Sequence, residues 1–362
     1  MQLWPIAADL TSLSLTETGA HLSDVTFTLD GKTQIQPMHT TPWLGETMPE
    51  GTPEHLAILR GDFFCAPFGG SDVIPGETRG HGAPANGPWR FVKTTASTLD
   101  LELVDKVMGA TITGHYAVKP GHRAVYQRHV VAGGAGRIPM AHHAMLRAEP
   151  RLKLAFGHKV WAGTPDGIPE RPPTGRSVLA YPQDIASLGS ARRDDGGVID
   201  LTIYPNEEGH EDLFMVCGDM NQPFGWTAAT AIDAGWVWFA LKDPKVLPST
   251  VLWLSNGGRK AAPWSSRHKH VIGVEEVRSY FASGHKASIS ENRVNAQGIP
   301  TAFDLQPDGQ IVINYIFGVA PVPKAFGQVV DIRAEGDGVR ITDIDGTAVH
   351  APVDLSFLFS DT

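Results

Sequence analysis

Short stretches in which apolar and polar residues alternate recur along the chain. In TLDLEL at 98–103, three leucines alternate with two acidic residues. A period of two places the leucines on one face of a β-strand and the acids on the other. Further strands are predicted by seven stretches rich in β-branched and aromatic residues. They are ATITGHYAV, HRAVYQRHVV, VIDLTIYP, AGWVWFALK, STVLWLS, QIVINYIF and GVRITDID.

Turn signals separate these stretches. The chain has 39 glycines and 27 prolines, and Asp-Gly pairs occur at 30–31, 308–309, 337–338 and 345–346. Asp-Gly between alternating stretches is typical of hairpin turns. Helical patterns are few, and the best is EEVRSYFAS at 275–283. The pattern therefore predicts an all-β protein built as a large antiparallel β-sandwich or barrel.

The segment with the most prolines and glycines is 157–177. It is typical either of a linker between two domains or of a long loop within one. The strand patterns on its two sides look alike, so we expect a loop within a single domain spanning residues 1–362.

Composition narrows the class of protein. Among 362 residues, 42% are hydrophobic and 19% charged, and the net charge is −9. A net negative charge does not favour nucleic acid or an anionic membrane as a partner. Cys65 and Cys217 are too few for a cysteine-only metal site and suggest buried thiols in a reducing compartment.

Neither a secretory signal nor a membrane helix is predicted. The N-terminal MQLWPIAADLTSLSL has no basic region followed by a long apolar one. No apolar run approaches the roughly 20 residues of a membrane helix. We therefore expect a cytoplasmic protein with no membrane partner.

The common signatures of nucleotide enzymes and hydrolases are missing from the sequence. It contains no G-x-S-x-G, H-E-x-x-H, P-loop or G-x-G-x-x-G motif. Their absence argues against a nucleotide enzyme and removes one class of hydrolase. Histidines and acids in β-rich sequence remain as the candidate chemistry.

The first candidate cluster is RGHGAPANGPWRF at 79–91. Glycines on both sides of His81 let the backbone turn sharply and approach a ligand. Asn86 offers a hydrogen-bonding amide and Trp89 a flat apolar face, the combination that sugars require. The structural alternative is a surface loop anchored by inward packing of Trp89.

Two further clusters contain adjacent polar pairs. In PMAHHAMLRAE at 139–149, a strand would point His142 and His143 to opposite faces. Glu275 and Glu276 would likewise separate. A glutamate in a partly desolvated pocket has a raised pKa and makes a usable general base.

The third cluster, RHKHVIGVEEVRSYFASG at 267–284, also suggests a metal site as an alternative. His268, His270 and Glu275 form the spacing H-x-H-x4-E, which is close to a metal motif of cupins. On a strand, both histidines would share a face and the carboxylate would complete the site.

Four short motifs follow one another along the chain: LRGD at 59–62, HGAPANGPW at 81–89, AHHAML at 141–146 and GVE at 273–275. In this order they resemble the aldose 1-epimerase superfamily, which includes galactose mutarotase and hexose-6-phosphate relatives. The resemblance covers about residues 40–320. Departures point to a divergent branch. His142 stands where galactose mutarotases carry asparagine before their catalytic histidine, and Ala144-Met145-Leu146 replace a Tyr-Phe pair.

The resemblance implies a β-supersandwich and an enzyme that interconverts the α and β anomers of a sugar. It implies His143 as the acid, Glu275 as the base and His81 as an assisting histidine. Arg60 and Asp212 correspond to substrate-binding residues. The implied partner is a small-molecule carbohydrate, and no metal or organic cofactor is required.

Several alternatives stay open at this point. Glu276 competes with Glu275 as the base. Arg60, Arg79 and Arg90 are consistent with a phosphorylated sugar and equally with ordinary surface charge. Three competing functions also remain: a non-catalytic carbohydrate-binding protein, a cupin-like metalloenzyme, and a lyase or hydrolase on a related sandwich.

Overall fold

The computed structural model describes residues 2–360, so Met1 and 361–362, at the ends of the predicted domain, lie outside the described residues. Within 2–360 there are 26 β-strands and three α-helices of four or five residues. The first thirteen strands are β1 Leu3–Ala7, β2 Thr11–Thr16, β3 Leu22–Thr28, β4 Gln34–Ile35, β5 Phe64–Cys65, β6 Trp89–Thr94, β7 Thr98–Leu103, β8 Ala110–Val118, β9 Ala124–Gly133, β10 Gly136–Ile138, β11 Met140–Arg147, β12 Leu152–Phe156 and β13 Lys159–Gly163.

The second half of the chain continues the same way. Its strands are β14 Ala191–Arg192, β15 Val198–Ile199, β16 Ile203–Tyr204, β17 His210–Gly218, β18 Gly225–Ala231, β19 Trp236–Lys242, β20 Ser249–Asn256, β21 Val271–Arg278, β22 Phe303–Leu305, β23 Gln310–Pro321, β24 Val329–Glu335, β25 Gly338–Asp343 and β26 Ala348–Pro352. The helices are α1 Glu54–Ala57, α2 Gly82–Asn86 and α3 His285–Ile289.

Two large antiparallel sheets dominate the architecture. One has nine strands in the order β16-β12-β18-β19-β23-β9-β8-β7-β6. The other has six, in the order β13-β17-β20-β21-β11-β5. The predicted all-β class with antiparallel sheets is confirmed.

The main apolar core lies between the two large sheets. Trp238, Tyr315 and Phe317 from the nine-stranded sheet share this core with Phe214 and Leu252 from the six-stranded sheet. Successive side chains of a strand point to opposite faces. The residues that alternate with the core residues therefore point outward and form two further apolar layers, one on the outer face of each large sheet.

Each outer face is covered by a different part of the chain. Strands β24–β26 form a three-stranded sheet whose Ile332 and Ile341 pack with Tyr126 and Phe239 on the nine-stranded sheet. Loops and short helices cover the outer face of the six-stranded sheet, where Phe63 and Phe281 pack with Met145 and Val277. The candidate site lies on this second outer face.

The helix predicted at 275–283 is wrong. Residues 271–278 form β21, in the middle of the six-stranded sheet. Val274 belongs to the core between the sheets and Val277 to the outer layer, so both faces of this strand are buried. A strand buried on both faces loses the clean alternation that makes a strand visible in sequence.

Two other segments also differ from their predictions. The stretch 157–177 is not wholly a loop, because Lys159–Gly163 pair with β17 at the edge of the six-stranded sheet. The strand predicted at 198–205 is reduced to β15 and β16, of two residues each. Across residues 2–360, no helix has the length and apolar character needed to cross a membrane.

Candidate active site

The centre of the site is a histidine–glutamate pair on two neighbouring strands. His143 of β11 lies directly opposite Glu275 of β21, and both point to the outer face of the six-stranded sheet. His143 Nε2 lies 3.3 Å from Glu275 Oε1, and both side chains are almost wholly buried. The two groups are close enough to share a proton.

A glycine makes room for the carboxylate. Gly273 lies two residues before Glu275 on the same face, beside Trp253 of β20. A Cβ at this position would lie 2.5 Å from Glu275 Oε1 and 3.0 Å from the Trp253 Cβ. The missing side chain therefore provides the space that the Glu275 carboxylate occupies.

His81 approaches the pair from a tight turn. Its φ is 63° and that of Gly82 is 73°, both in the left-handed region. A Cβ on Gly82 would lie 2.0 Å from the Ala66 carbonyl oxygen, so only glycine permits this contact between two backbone segments. The turn brings the His81 ring to 5.0 Å from the His143 ring, centroid to centroid.

A second histidine, His55 on α1, stands beside His81. Their ring centroids lie 5.3 Å apart. The buried Asn86 side-chain oxygen accepts hydrogen bonds from the His55 backbone N–H at 3.0 Å and from its Nδ1 at 2.8 Å. Because Nδ1 donates, the Nε2 of a neutral His55 is left as an acceptor. Asn86 thus holds His55 rather than lining the cavity itself.

An aromatic wall with one arginine forms the other side. The Arg259 guanidinium lies 4.8 Å from the Trp264 ring centroid and 5.7 Å from that of Trp253. Glu170 accepts a 2.8 Å hydrogen bond from Arg259 Nε, and Glu211 lies 3.7 Å from its Nη1. These contacts fix a flat, partly exposed cation next to indole rings, an arrangement suited to the C–H faces and hydroxyls of a sugar.

Glu211 anchors this wall from behind. Its carboxylate accepts hydrogen bonds from Trp253 Nε1 at 2.6 Å and from Ser255 Oγ at 3.1 Å. Burial raises the pKa of Glu211 to about 7, and Arg259 opposes this shift.

Together these side chains enclose a cavity of about 120 Å³. Its lining combines acid–base groups with apolar and aromatic surface. The lining residues are His55, Leu56, Leu59, His81, His143, Leu213, Trp253, Arg259, Trp264, Glu275 and Ala282.

Burial controls the protonation of the central pair. Desolvation raises the pKa of Glu275 well above its usual range and lowers the pKa of His143 to about 4. The charge of Asp62 partly offsets the shift on His143. Both shifts favour the uncharged groups, protonated Glu275 and neutral His143, over the ion pair. Burial also lowers the pKa values of His81 and His55.

The structure brings together three of the predicted site residues, His81, His143 and Glu275, and places Asn86 behind them. It does not bring Arg60 or Trp89 to the cavity lining. Arg60 is buried, and its Nε donates to the Ile58 carbonyl at 2.9 Å. The Trp89 indole packs inward and donates to the Pro84 carbonyl at 2.9 Å, as in the structural alternative considered for that loop.

Asp212 also lies away from the cavity. It points to the face of β17 opposite Glu211, where its carboxylate accepts hydrogen bonds from Tyr181 Oη at 2.8 Å and from the Leu179 backbone N–H at 3.0 Å. His210 Nδ1 lies 2.7 Å away. These contacts hold the 178–181 segment against the sheet, while the neighbouring Glu211 contacts the cavity wall.

The two adjacent glutamates have separate environments. Glu276 points between the large sheets, where it forms a buried ion pair with Lys242. Thr227 and Thr250 donate to it at 2.7 and 2.8 Å. Glu276 is therefore not a surface residue, and only Glu275 lines the cavity.

The alternative metal site is not formed. His268 and His270 precede β21 instead of sharing a strand face. His268 is buried with Nδ1 2.7 Å from Ser255 Oγ, whereas His270 pairs with the exposed Glu149. Across 2–360, no three or more His, Cys, Asp or Glu side chains are grouped so as to hold a metal ion.

Sequence reasoning did not identify His55, Glu211, Trp253, Arg259 or Trp264 as site residues. His55 lies in PEHLAI at 53–58, just before the LRGD motif, and no motif includes it. A usable signal existed for the aromatic wall. Two tryptophans and an arginine lie within twelve residues in WLSNGGRKAAPW, and an arginine close to indoles can stack on them.

The fold and site define a two-sheet β-sandwich with a buried acid–base pair in a cavity outside the smaller sheet. Solved structures with the same fold include a GalM/aldose epimerase homologue from C. elegans, with a TM-score of 0.59 and 13% identity over 89% of this chain and 99% of that chain. A galactose mutarotase related enzyme from Lactobacillus acidophilus gives 0.55 and 9% over 89% and 100%. The chain therefore has a galactose mutarotase-like fold, as the resemblance implied, in a sequence-divergent form. No protein-family model and no curated protein matches the sequence.

Proposed function

We propose that the protein is an isomerase of the aldose 1-epimerase type, which interconverts the α and β anomers of a sugar. The single observation that supports this most strongly is the buried Glu275–His143 pair at 3.3 Å inside a cavity walled by indole rings. A protein that only binds sugars requires no acid–base pair. The galactose mutarotase-like fold supports the proposal independently.

The reaction requires two proton movements. Glu275, as the carboxylate, accepts the proton of the anomeric hydroxyl, while the His143 imidazolium donates a proton to the ring oxygen. The C1–O5 bond breaks, the ring opens to an aldehyde, and rotation about C1–C2 exposes the other face. Closure reverses both transfers. The charged form of the pair is reached by moving its single proton from Glu275 to His143, and sugar hydroxyls that donate to Glu275 favour that form.

The surrounding groups position the sugar. His81 and His55 are neutral at pH 7 because burial lowers their pKa values. Because His55 Nδ1 donates to Asn86, its Nε2 is an acceptor for a sugar hydroxyl. His81 Nδ1 accepts from the Gly69 backbone N–H at 3.4 Å, so its Nε2–H is a donor for a hydroxyl or the ring oxygen. Trp253 and Trp264 offer faces for stacking, and Arg259 adds a donor beside them.

The direct test is anomer exchange measured by NMR on free, phosphorylated and acidic sugars. We expect exchange well above the spontaneous rate for at least one member of the panel. A rate equal to buffer on every sugar, with sugar binding retained, would replace the enzyme with a carbohydrate-binding protein.

We expect a bell-shaped dependence of kcat/KM on pH. Activity requires that Glu275 and His143 together carry one titratable proton. Below the His143 pKa of about 4, the pair holds two protons and Glu275 has no site to accept a third. Above the raised pKa of Glu275, the pair has lost its last proton and no acid remains. Stopped-flow polarimetry across the pH range measures both limbs. An acid limb at the ordinary histidine value of about 6.5 would contradict the assignment.

Replacing Asn86 tests the positioning of His55. Asn86→Ala removes the acceptor that holds the His55 ring, and misplacement of a contact group lowers kcat/KM by up to about 10²-fold. Asn86→Asp keeps an acceptor for His55 but loses the donors to the Gly80 and Gly82 carbonyls. We expect the aspartate variant to retain more activity. Equal loss in both variants would show that Asn86 supports only the local fold.

A further inference from the structure

A second, larger cavity adjoins the candidate site. Its volume is about 510 Å³, and we call it the vestibule. It shares Leu213, Arg259 and Ala282 with the inner cavity that contains Glu275 and His143. Its remaining walls come from residues 165–169, 280–281, 283 and 287.

The sizes of the two spaces indicate how a ligand divides between them. Sites that bury most of a small molecule have volumes of about 300–1,000 Å³. The inner cavity, at about 120 Å³, is below that range, whereas the vestibule, at about 510 Å³, lies within it. A ligand whose reacting end enters the inner cavity therefore has room for a second unit of similar size outside it.

The charges of the vestibule favour an uncharged second unit. Its lining contains one cation, Arg259, and one anion, Asp166. Arg259 is paired with Glu170 at 2.8 Å and with Glu211 at 3.7 Å, so it does not present an uncompensated charge to a phosphate or carboxylate. Asp166 accepts a hydrogen bond from Tyr280 Oη at 2.7 Å and lies at the solvent-exposed mouth.

The same lining suits a sugar. Asp166 is a hydroxyl acceptor, Ser283 is both donor and acceptor, and Arg259 is a donor at the junction of the two cavities. Between them, Leu213 and Ile168 provide apolar surface for C–H groups.

We propose that the vestibule is a second sugar subsite, so that the protein acts on the reducing end of a neutral disaccharide or longer oligosaccharide. The reducing-end ring enters the inner cavity, and the glycosidically linked ring occupies the vestibule. This inference rests on the proposed function for the identity of the reaction, and on the joined cavities for the length of the substrate.

Gly167 allows a selective test, because it lines the vestibule and a Cβ there would meet no atom within 4 Å. Its φ is outside the left-handed region, so a side chain adds no backbone strain. Gly167→Trp therefore adds an indole at the vestibule lining, at a position that does not line the inner cavity. Gly189→Trp is the matched control, since Gly189 is exposed, lies outside the linings of both cavities, and has no atom closer than 3.7 Å to its Cβ position.

The experiment compares anomer exchange of glucose and galactose with that of maltose, cellobiose and lactose, using NMR. In the unsubstituted protein we expect at least one disaccharide to exceed its monosaccharide in kcat/KM. Gly167→Trp should lower that disaccharide value by about tenfold, the low end of what one added group in a pocket changes, and leave the monosaccharide within twofold. Gly189→Trp should change neither. Equal kcat/KM for mono- and disaccharides would overturn the vestibule subsite. So would a Gly167→Trp variant that lowers kcat/KM for both alike.

Calorimetric binding of the same sugars separates this inference from the proposed function. If no sugar is anomerised, yet disaccharides bind and Gly167→Trp weakens them by about tenfold, the subsite holds and the enzymatic proposal fails. If monosaccharides are anomerised and no disaccharide binds more tightly than its monosaccharide, the enzymatic proposal holds and the subsite fails. If nothing is anomerised and no disaccharide binds, both fail.

Discussion

Glu275→Gln is expected to reduce anomer exchange by about 10²–10⁴-fold, the usual contribution of a positioned general base. Glutamine has nearly the same shape as glutamate, so it fits the space left by Gly273. It accepts hydrogen bonds but cannot take the anomeric proton. Saturation-transfer NMR on the best sugar of the panel measures the loss. Retention of full activity by this variant would refute the role of Glu275.

Stability provides the control for that variant. Because burial raises the pKa of Glu275, its ionisation weakens folding progressively as the pH rises from the unfolded value of about 4.5 through the folded pKa. Glutamine does not titrate. The variant should therefore match the unsubstituted protein below about pH 4.5 and unfold at a higher temperature than it at alkaline pH. Loss of activity together with a lower Tm at every pH would indicate damage to the fold instead.

Lys242→Met is expected to cause a large loss of stability, whereas Glu275→Gln is expected to lower activity and leave the fold intact. Lys242 is the counterion of Glu276 between the two large sheets, and it also donates to the Ser249 carbonyl at 3.0 Å. Removing one partner of a buried pair leaves an uncompensated charge and costs about 3–5 kcal/mol in the free energy of unfolding. Urea denaturation followed by tryptophan fluorescence measures the change.

A double variant tests the cause of that loss. In Lys242→Met/Glu276→Leu the charge is removed as well, and apolar residues of similar volume often replace a buried pair with little loss. We expect the double variant to regain most of the stability lost in the single one. If the double variant were less stable than the single one by a further 3–5 kcal/mol, the uncompensated charge would not be the cause.

The strands that the sequence predicts best are those with one polar face. TLDLEL at 98–103 coincides with β7, whose leucines are buried and whose alternate residues are partly exposed. β21 is the counterexample, because Val274 and Val277 are buried on opposite faces and Glu276 is a buried charge. No local pattern of polarity identifies a strand whose polar residues are paired inside the protein.

The site was only partly predictable for a related reason. Alternation shows that His142 and His143 point in opposite directions, but which of them lines a cavity depends on the strands and loops that pack on each face. The same uncertainty affects Glu211 and Asp212 on β17. Their surroundings differ because Trp253 and Arg259 lie on one side only, and that arrangement follows from strand order rather than from local sequence.

Gly273 has a consequence for how the chain avoids misfolding at the candidate site. If β21 slipped by one residue along β11 so that Glu276 faced His143, a carboxylate would still stand beside that histidine. Val277 would then take the place of Glu276, and Lys242 would lose its buried partner. Val274 would then stand beside Trp253, where even a Cβ lies only 3.0 Å from the Trp253 Cβ. The slip would also turn every other side chain of β21 to the wrong layer. Two adjacent glutamates would look alike to His143, so the space left at Gly273 and the Lys242–Glu276 pair together distinguish the correct pairing from the shifted one.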